Sequence, residues 1–130
     1  MTYLIDTHVL LWAVSEPERL NREVADVLST DPGVVVSDVS LWELSIKAGI
    51  GKLTLLGGQT AGWWFEEHCT RLRLQSLSIT RHHLAHVQFL PTHHRDPFDR
   101  LLIAQAVVEG HTLITADSTF DAYDVRVLRA

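Results

Sequence analysis

The sequence has few of the residues that favour a secreted, thiolate-metal or membrane protein. Its 130 residues include one cysteine, Cys69, which excludes an intrachain disulfide and a zinc site built from cysteines. The longest apolar run, residues 9–14, is far shorter than the ~20 residues that a membrane-spanning helix needs. The N-terminus lacks the basic start and apolar stretch of a signal peptide. We therefore expect a cytoplasmic protein with no membrane association.

Basic residues are scarce, because eleven lysines and arginines stand against sixteen acids and give a net charge of −5. A surface of this sign disfavours passive coating of nucleic acid, which needs a basic face. This argument against nucleic-acid binding does not hold if several acids bind one cation, because the rest of the protein surface is then nearly neutral. The hydrophobic fraction of 46% is typical of a folded chain, and the length predicts one domain over residues 1–130.

Short apolar runs alternate with helical segments along the chain. Strands are predicted at residues 3–5, 34–36 and 112–115, and helices at residues 41–48 and after Asp96. This alternation predicts an α/β fold with a central, mostly parallel sheet and helices on both faces.

Four acids occupy related places in this pattern. Asp6 and Asp117 follow the ends of predicted strands, whereas Glu43 and Asp99 lie in the first turns of predicted helices. Strand C-termini and helix N-termini share one edge of a parallel sheet, where ligands usually bind. We therefore expect the four carboxylates to converge in one crevice.

Three of these acids also suit a purely structural role. Glu43 stands three residues after Ser40 and completes the pattern of a capping box. Asp99 lies in a favourable helix start, and Asp117 is placed to cap the turn that follows it. Asp6 has no equally good local role, because it ends an apolar strand and enters an apolar segment.

A carboxylate cluster has a definite chemistry. Two carboxylates about 4 Å apart repel by roughly 4 kcal/mol at an effective dielectric constant of about 20, so a cluster either takes up protons or recruits a cation. Ligation by oxygen alone suits Mg²⁺ or Mn²⁺ rather than Zn²⁺. A bound ion of this kind polarises a phosphoryl oxygen and activates water, which favours phosphodiester hydrolysis.

Several motifs together resemble a known family. They are LIDTHVLLW at 4–12, SLWE at 40–43 with Lys47 and GKL at 51–53, HHRDPFDRLLIAQ at 93–105, and LITAD at 113–117. They look like the PIN-domain ribonucleases, specifically the VapC-type toxins of toxin–antitoxin modules. The resemblance implies a PIN-like three-layer fold and a single nuclease domain over residues 1–130.

The resemblance also implies a function. This function is that of an endoribonuclease that hydrolyses RNA phosphodiester bonds and depends on Mg²⁺, with Mn²⁺ as the alternative ion. It implies a cognate antitoxin as partner and a homodimer. Carried over residue by residue, it assigns metal binding and catalysis to Asp6, Glu43, Asp99 and Asp117. The residues placed to support them are Asp96, Thr7, Ser40, Thr115 and Arg100.

Other interpretations stay open. One is a catalytically inactive domain of the same fold that binds RNA or protein. Another is a phosphoaspartate enzyme using Asp6 as nucleophile, although no second acid stands two residues further on. The histidines predict no zinc site, because His82 and His86 lack the glutamate of a zinc-protease helix and the pair at 93–94 lacks a third ligand at a convincing spacing. The stretch 57–73 matches no motif.

Overall fold

A single parallel sheet forms the centre of the protein. The computed structural model describes residues 1–54 and 56–130. Five strands pair in the order β3-β2-β1-β4-β5, and every neighbouring pair is parallel, which confirms the expected sheet. The strands are β1 (Tyr3–Ile5), β2 (Val34–Ser37), β3 (Gln75–Leu77), β4 (Thr112–Thr115) and β5 (Val127–Arg129).

Helices connect the strands. They are α1 (Thr7–Ser15), α2 (Arg22–Thr30), α3 (Asp38–Gly49), α4 (Ala61–Arg71), α5 (Arg81–His86) and α6 (Pro97–Glu109). Short 3₁₀ turns lie at Pro17–Arg19, Leu56–Gly58, Val87–Phe89 and Ser118–Ala122. Within the described residues, none of these helices has the length and apolar character to cross a bilayer.

The core lies in two layers, one on each face of the sheet. Ile5 and Ile114 point to the face covered by α1, α2 and α4, whereas Leu4 and Leu113 point to the face covered by α6. Adjacent side chains of a strand point to opposite faces, so a strand that is covered twice must be apolar throughout. The apolar runs of β1 and β4 follow from this arrangement, and the three-layer α/β prediction is confirmed.

The order of the strands creates a crevice beside β1. From β1 the chain first builds β2 and β3 on one side and then returns to build β4 and β5 on the other. The connections therefore leave in opposite directions at the carboxyl ends of β1 and β4, which is where ligands bind in open α/β sheets. Asp6 directly follows β1, and Thr115 is the last residue of β4.

Helix α3 begins earlier than its sequence pattern predicts. Ser37 ends β2 and also caps the helix, because its hydroxyl accepts the N–H of Val39 at 2.9 Å. The predicted capping box of Ser40 and Glu43 is therefore wrong. Ser40 lies inside the helix, where its hydroxyl accepts that of Thr7 at 2.9 Å, and Glu43 lies in the second turn. Because β2 passes into α3 without a loop, the helix begins about one turn earlier than the sequence pattern predicts.

Helix α6 begins and ends where the sequence predicts. Asp96 caps it, and its Oδ1 accepts the N–H groups of Phe98 at 2.8 Å and Asp99 at 3.2 Å. Gly110 ends it in the left-handed conformation, with φ at 71°, which glycine adopts without steric cost. These two signals fix Asp99 in the first turn of the helix.

Candidate metal centre

Asp6 lies at the crevice, directly after β1, and forms hydrogen bonds to α1 and β4. It is 5% exposed, its Oδ1 accepts the N–H of Val9 at 2.8 Å, and its Oδ2 accepts the hydroxyl of Thr115. The expectation that Asp6 has no local capping role is therefore wrong, since it caps α1. Burial raises the pKa of Asp6; the two hydrogen bonds and His8 oppose this rise, and Glu43 adds to it.

Glu43 reaches the same place from α3. It is 3% exposed. Its Oε2 forms an ion pair with Nζ of Lys47, one turn further along the helix, at a distance of 2.6 Å. Its Oε1 is buried and has no hydrogen-bond partner among the described residues. A buried carboxylate oxygen without a partner is costly. The residues around Glu43 therefore fit a cation at Oε1.

Asp99 faces the same group from the start of α6. Burial and the neighbouring Asp96 raise the pKa of Asp99 to about 7, although His94 opposes the rise. Glu43 and Asp6 also raise it. Asp6 and Glu43 thus lie near enough to Asp99 to influence its ionisation, although the three acids come from distant parts of the chain.

Asp117 lies at the outer edge of this group. Its Oδ1 caps the turn Ser118–Ala122 by accepting the N–H of Thr119 at 2.9 Å, and its Oδ2 lies 3.1 Å from Nε2 of His94. Burial alone would raise the pKa of Asp117, but the hydrogen bonds from Thr119 and His94 outweigh it and lower the pKa. Asp117 is thus both a cap and a neighbour of the acids, and its side chain is 41% exposed.

His94 connects Asp117 to Asp99. The ring Nε2 is also 2.9 Å from Oδ2 of Asp99, and all three ligand atoms lie within 4.8 Å of one another. Sequence reasoning missed His94 because it looked for histidine and cysteine partners of a zinc site. The available signal was its position two residues before the cap of α6, which places it beside the first turn.

Arg100 does not contact the acids. Its guanidinium donates to the carbonyl oxygens of Pro91 at 2.7 Å and His94 at 3.3 Å, and also to those of Val87 at 3.2 Å and Leu90 at 3.4 Å. Arg100, which the sequence places as a supporting residue of the acids, thus binds main-chain carbonyl oxygens rather than their carboxylates. Arg100 anchors the segment that carries His94.

Asp6 and Asp117 border a surface depression. This cavity of about 230 Å³ is lined by Asp6, His8, Trp12, Ala116 and Asp117. His8 and Trp12 are also part of a second depression of about 250 Å³ that extends over α1 toward Trp64. Two of the four predicted acids are thus open to a surface that a polymeric substrate can reach.

Oxygen donors make up the inner part of the site. Asp6, Glu43 and Asp99 supply carboxylate oxygens, and the unpartnered Oε1 of Glu43 is the atom that most needs a cation. Hard divalent ions such as Mg²⁺ and Mn²⁺ take this donor set. The residues present therefore fit the kind of ion that the sequence predicts.

The raised pKa of Asp99 predicts how stability depends on pH without divalent ions. Between its ordinary value of 3.8 and about 7, the folded state binds more protons than the unfolded state. The free energy of unfolding is therefore expected to fall, by roughly 1–3 kcal/mol, as the pH rises through this window. The raised pKa of Asp6 also makes the free energy of unfolding fall as the pH rises. The lowered pKa of Asp117 affects the free energy of unfolding only below this pH range.

Urea denaturation in a chelator at about pH 5 and pH 8 measures this change. The Asp99→Asn variant is the control, because it lacks the titrating group, and we expect a smaller decrease in it. An equal decrease in both proteins would contradict the assignment to Asp99.

Comparisons with known proteins agree with this architecture. The chain is 29% identical over 117 residues to Ribonuclease VapC22 of Mycobacterium tuberculosis (strain ATCC 25618 / H37Rv), covering 89% of this chain and 87% of the relative. The crystal structure of VapBC2 from Rickettsia felis, bound to a DNA fragment from its promoter, contains a similar fold, with a TM-score of 0.75 at 17% identity and coverage of 99% and 98%. FitAcB from Neisseria gonorrhoeae gives a TM-score of 0.67 at 24% identity, with coverage of 98% and 97%.

The family is established by a match over most of the chain. The PIN domain model matches residues 3–126, which include β1 to β4 and the four predicted site acids and end just before β5. The strand order and the two-layered core agree with this match. The chain therefore belongs to the PIN domain family.

Proposed function

We propose that this protein is a divalent-metal-dependent endoribonuclease, the cytoplasmic toxin of a toxin–antitoxin module. The observation that carries the proposal is the buried Oε1 of Glu43, which has no hydrogen-bond partner among the described residues and belongs to an acid that influences the ionisation of both Asp6 and Asp99. The name of the mycobacterial relative, a ribonuclease, supports RNA as the substrate. Mg²⁺ is the proposed ion, and Mn²⁺ is the alternative.

Each acid of the proposed centre is held by its own set of contacts. Thr115 and the N–H of Val9 fix the Asp6 carboxylate, and Lys47 holds Oε2 of Glu43 so that Oε1 points away from the ion pair. Asp99 is fixed by its place in the first turn of α6. When bound, the ion polarises the phosphodiester and activates water for its hydrolysis.

The remaining predicted residues support this arrangement in the proposal. Thr7 and Ser40 join α1 to α3 beside Asp6 and Glu43. Asp96 holds the start of α6 and raises the pKa of Asp99. Asp117 lies nearest to solvent, where it meets the substrate.

We propose an antitoxin as the protein partner, by analogy with the VapBC complex from Rickettsia felis. Several large apolar side chains remain exposed on adjacent helices and support this part of the proposal. Trp42 is 44% and Ile46 is 41% exposed on α3, and Trp63 is 50% exposed on α4, whereas Trp64 and Phe65 are buried. A second copy of the chain is also proposed as a partner, because the family resemblance implies a homodimer.

Cleavage of RNA in the presence and absence of Mg²⁺ tests the proposed function. Mixed RNA is incubated with the wild type, Asp99→Asn and Asp38→Asn, and the products are separated on a denaturing gel. Asp38 is a matched control because it is an exposed acid in the first turn of α3. We expect cleavage by the wild type and Asp38→Asn that stops in chelator, and a loss of at least about 100-fold in Asp99→Asn.

Three results would contradict the proposal. Cleavage that persists in chelator would exclude the metal-dependent mechanism. RNA binding without cleavage under every condition would favour an inactive binding domain, and phosphorylation of Asp6 by an acyl-phosphate donor would favour a phosphoaspartate enzyme.

A further inference from the structure

His94 lies between the two outer acids of the site. Its Nε2 is 2.9 Å from Oδ2 of Asp99 and 3.1 Å from Oδ2 of Asp117. Its Nδ1 is 3.3 Å from the backbone nitrogen of Asp96 and accepts that N–H. Because Nδ1 is an acceptor, the neutral imidazole carries its hydrogen on Nε2. Nε2 therefore donates this hydrogen to Oδ2 of Asp117, and Oδ2 of Asp99 lies 2.9 Å from the same nitrogen.

The Nε2–H group lies beside both oxygens. A cation in contact with both Oδ2 atoms would come close to this group. A nitrogen that carries a hydrogen offers no lone pair to a metal ion. An ion that uses both Asp99 and Asp117 therefore requires the ring of His94 to turn away.

The contacts of His94 confine any movement to its side chain. Its backbone N–H donates to the hydroxyl of Tyr123 at 2.7 Å, and its carbonyl accepts from Arg100, so the main chain is fixed at this residue. The side chain is 16% exposed, and its ring packs against Phe120 at a centroid distance of 5.5 Å. Displacement of the ring is therefore a rotation of the side chain, with the segment that carries it held in place.

We infer that His94 is a displaceable positioning residue of the metal centre, an inference that rests on the proposed function. Without an ion, its Nε2–H donates to Asp117 and lies beside Asp99, which reduces the repulsion between the two carboxylates. When an ion binds both acids, the ring leaves. Histidine suits this role better than lysine or arginine, because it carries no permanent positive charge that would compete with the ion. His94 thus keeps the site assembled and lowers its affinity for the ion.

Binding of Mn²⁺ in the absence of RNA tests this inference. The dissociation constant is measured from the electron paramagnetic resonance signal of free Mn²⁺, and the melting temperature is measured in chelator. His94→Phe keeps a ring against Phe120 but removes both nitrogens, and His94→Gln restores a donor. His82→Phe makes the same replacement at an exposed position on α5 and serves as the control.

We expect opposite changes in the two measurements. His94→Phe should bind Mn²⁺ about three- to tenfold more tightly, because the ion no longer displaces a hydrogen bond, and should melt at a lower temperature in chelator. His94→Gln should fall between this variant and the wild type, and His82→Phe should match the wild type. A merely structural role would instead lower both stability and affinity.

Several outcomes would overturn the inference. Weaker Mn²⁺ binding by His94→Phe, or an imidazole nitrogen coupling in the spectrum of wild-type-bound Mn²⁺, would make His94 a ligand. Equal affinity in all four proteins would leave the proposed function intact but remove the role of His94. Failure of the wild type to bind Mn²⁺ at all would overturn both proposals.

Discussion

Replacing Asp99 with asparagine is expected to raise the melting temperature of the protein in chelator. The pKa of Asp99 is raised to about 7 by burial and by its acidic neighbours, so the ionised form is unfavourable near neutral pH. Asparagine removes this charge and has nearly the same shape, so it keeps an oxygen beside Nε2 of His94. The same change should abolish most of the stabilisation by Mg²⁺, since the ion loses a ligand. Differential scanning calorimetry with and without Mg²⁺ measures both effects.

Asp38→Asn separates this effect from the ordinary contribution of an acid at a helix start. Asp38 also lies in the first turn of a helix, but its side chain is exposed. Its replacement should cost a few tenths to about 1 kcal/mol through the helix dipole and leave the response to Mg²⁺ unchanged. A lower melting temperature of Asp99→Asn in chelator would show that Asp99 is only a helix-start acid.

Lys47→Met is expected to destabilise the metal-free protein by about 1–2 kcal/mol. Lys47 is the ion-pair partner of Glu43, and their side chains are 37% and 4% exposed. Removing Lys47 leaves the buried carboxylate of Glu43 without its partner, which is costly, although solvent around the lysine reduces the cost below that of a fully buried pair. Methionine preserves most of the apolar stem of lysine, so the effect reports on the charge. Urea denaturation in chelator gives the change in the free energy of unfolding.

A second substitution tests whether the cost comes from Glu43. In the Lys47→Met background, Glu43→Gln removes the isolated charge and should recover more than half of the lost stability. Addition of Mg²⁺ to Lys47→Met should also recover stability, because the ion takes the place of the ammonium group. Wild-type stability of Lys47→Met, or no recovery in the double variant, would contradict the account of Glu43 as a buried charge.

Local signals predicted the elements of the fold well. Asp96 and Gly110 mark both ends of α6, and the apolar runs of β1 and β4 follow from strands that are covered on two faces. The start of α3 was not predictable in the same way. Ser37 and Ser40 are equally good caps by residue type, and only the length of β2, which depends on its pairing with β1, decides between them.

The candidate site was predictable as a set of acids but not as an arrangement. The ends of strands and the starts of helices located Asp6 and Asp99 without any knowledge of side-chain contacts. The capping bond of Asp6 to Val9 and the ion pair of Glu43 with Lys47 are local, at spacings of three and four residues, and the sequence analysis overlooked them. The place of His94 beside Asp117 depends instead on how distant segments of the chain fold over one another. The roles of the four acids in metal binding remain a prediction.

One measurement tests the central claim most directly. Crystals of the protein soaked in Mn²⁺ are measured at the manganese absorption edge, where the anomalous signal locates the ion. The account predicts a peak between the carboxylates of Asp6, Glu43 and Asp99, with an oxygen of each in contact with the ion. A peak that lies elsewhere on the protein, or no peak at an Mn²⁺ concentration that supports RNA cleavage, would contradict it.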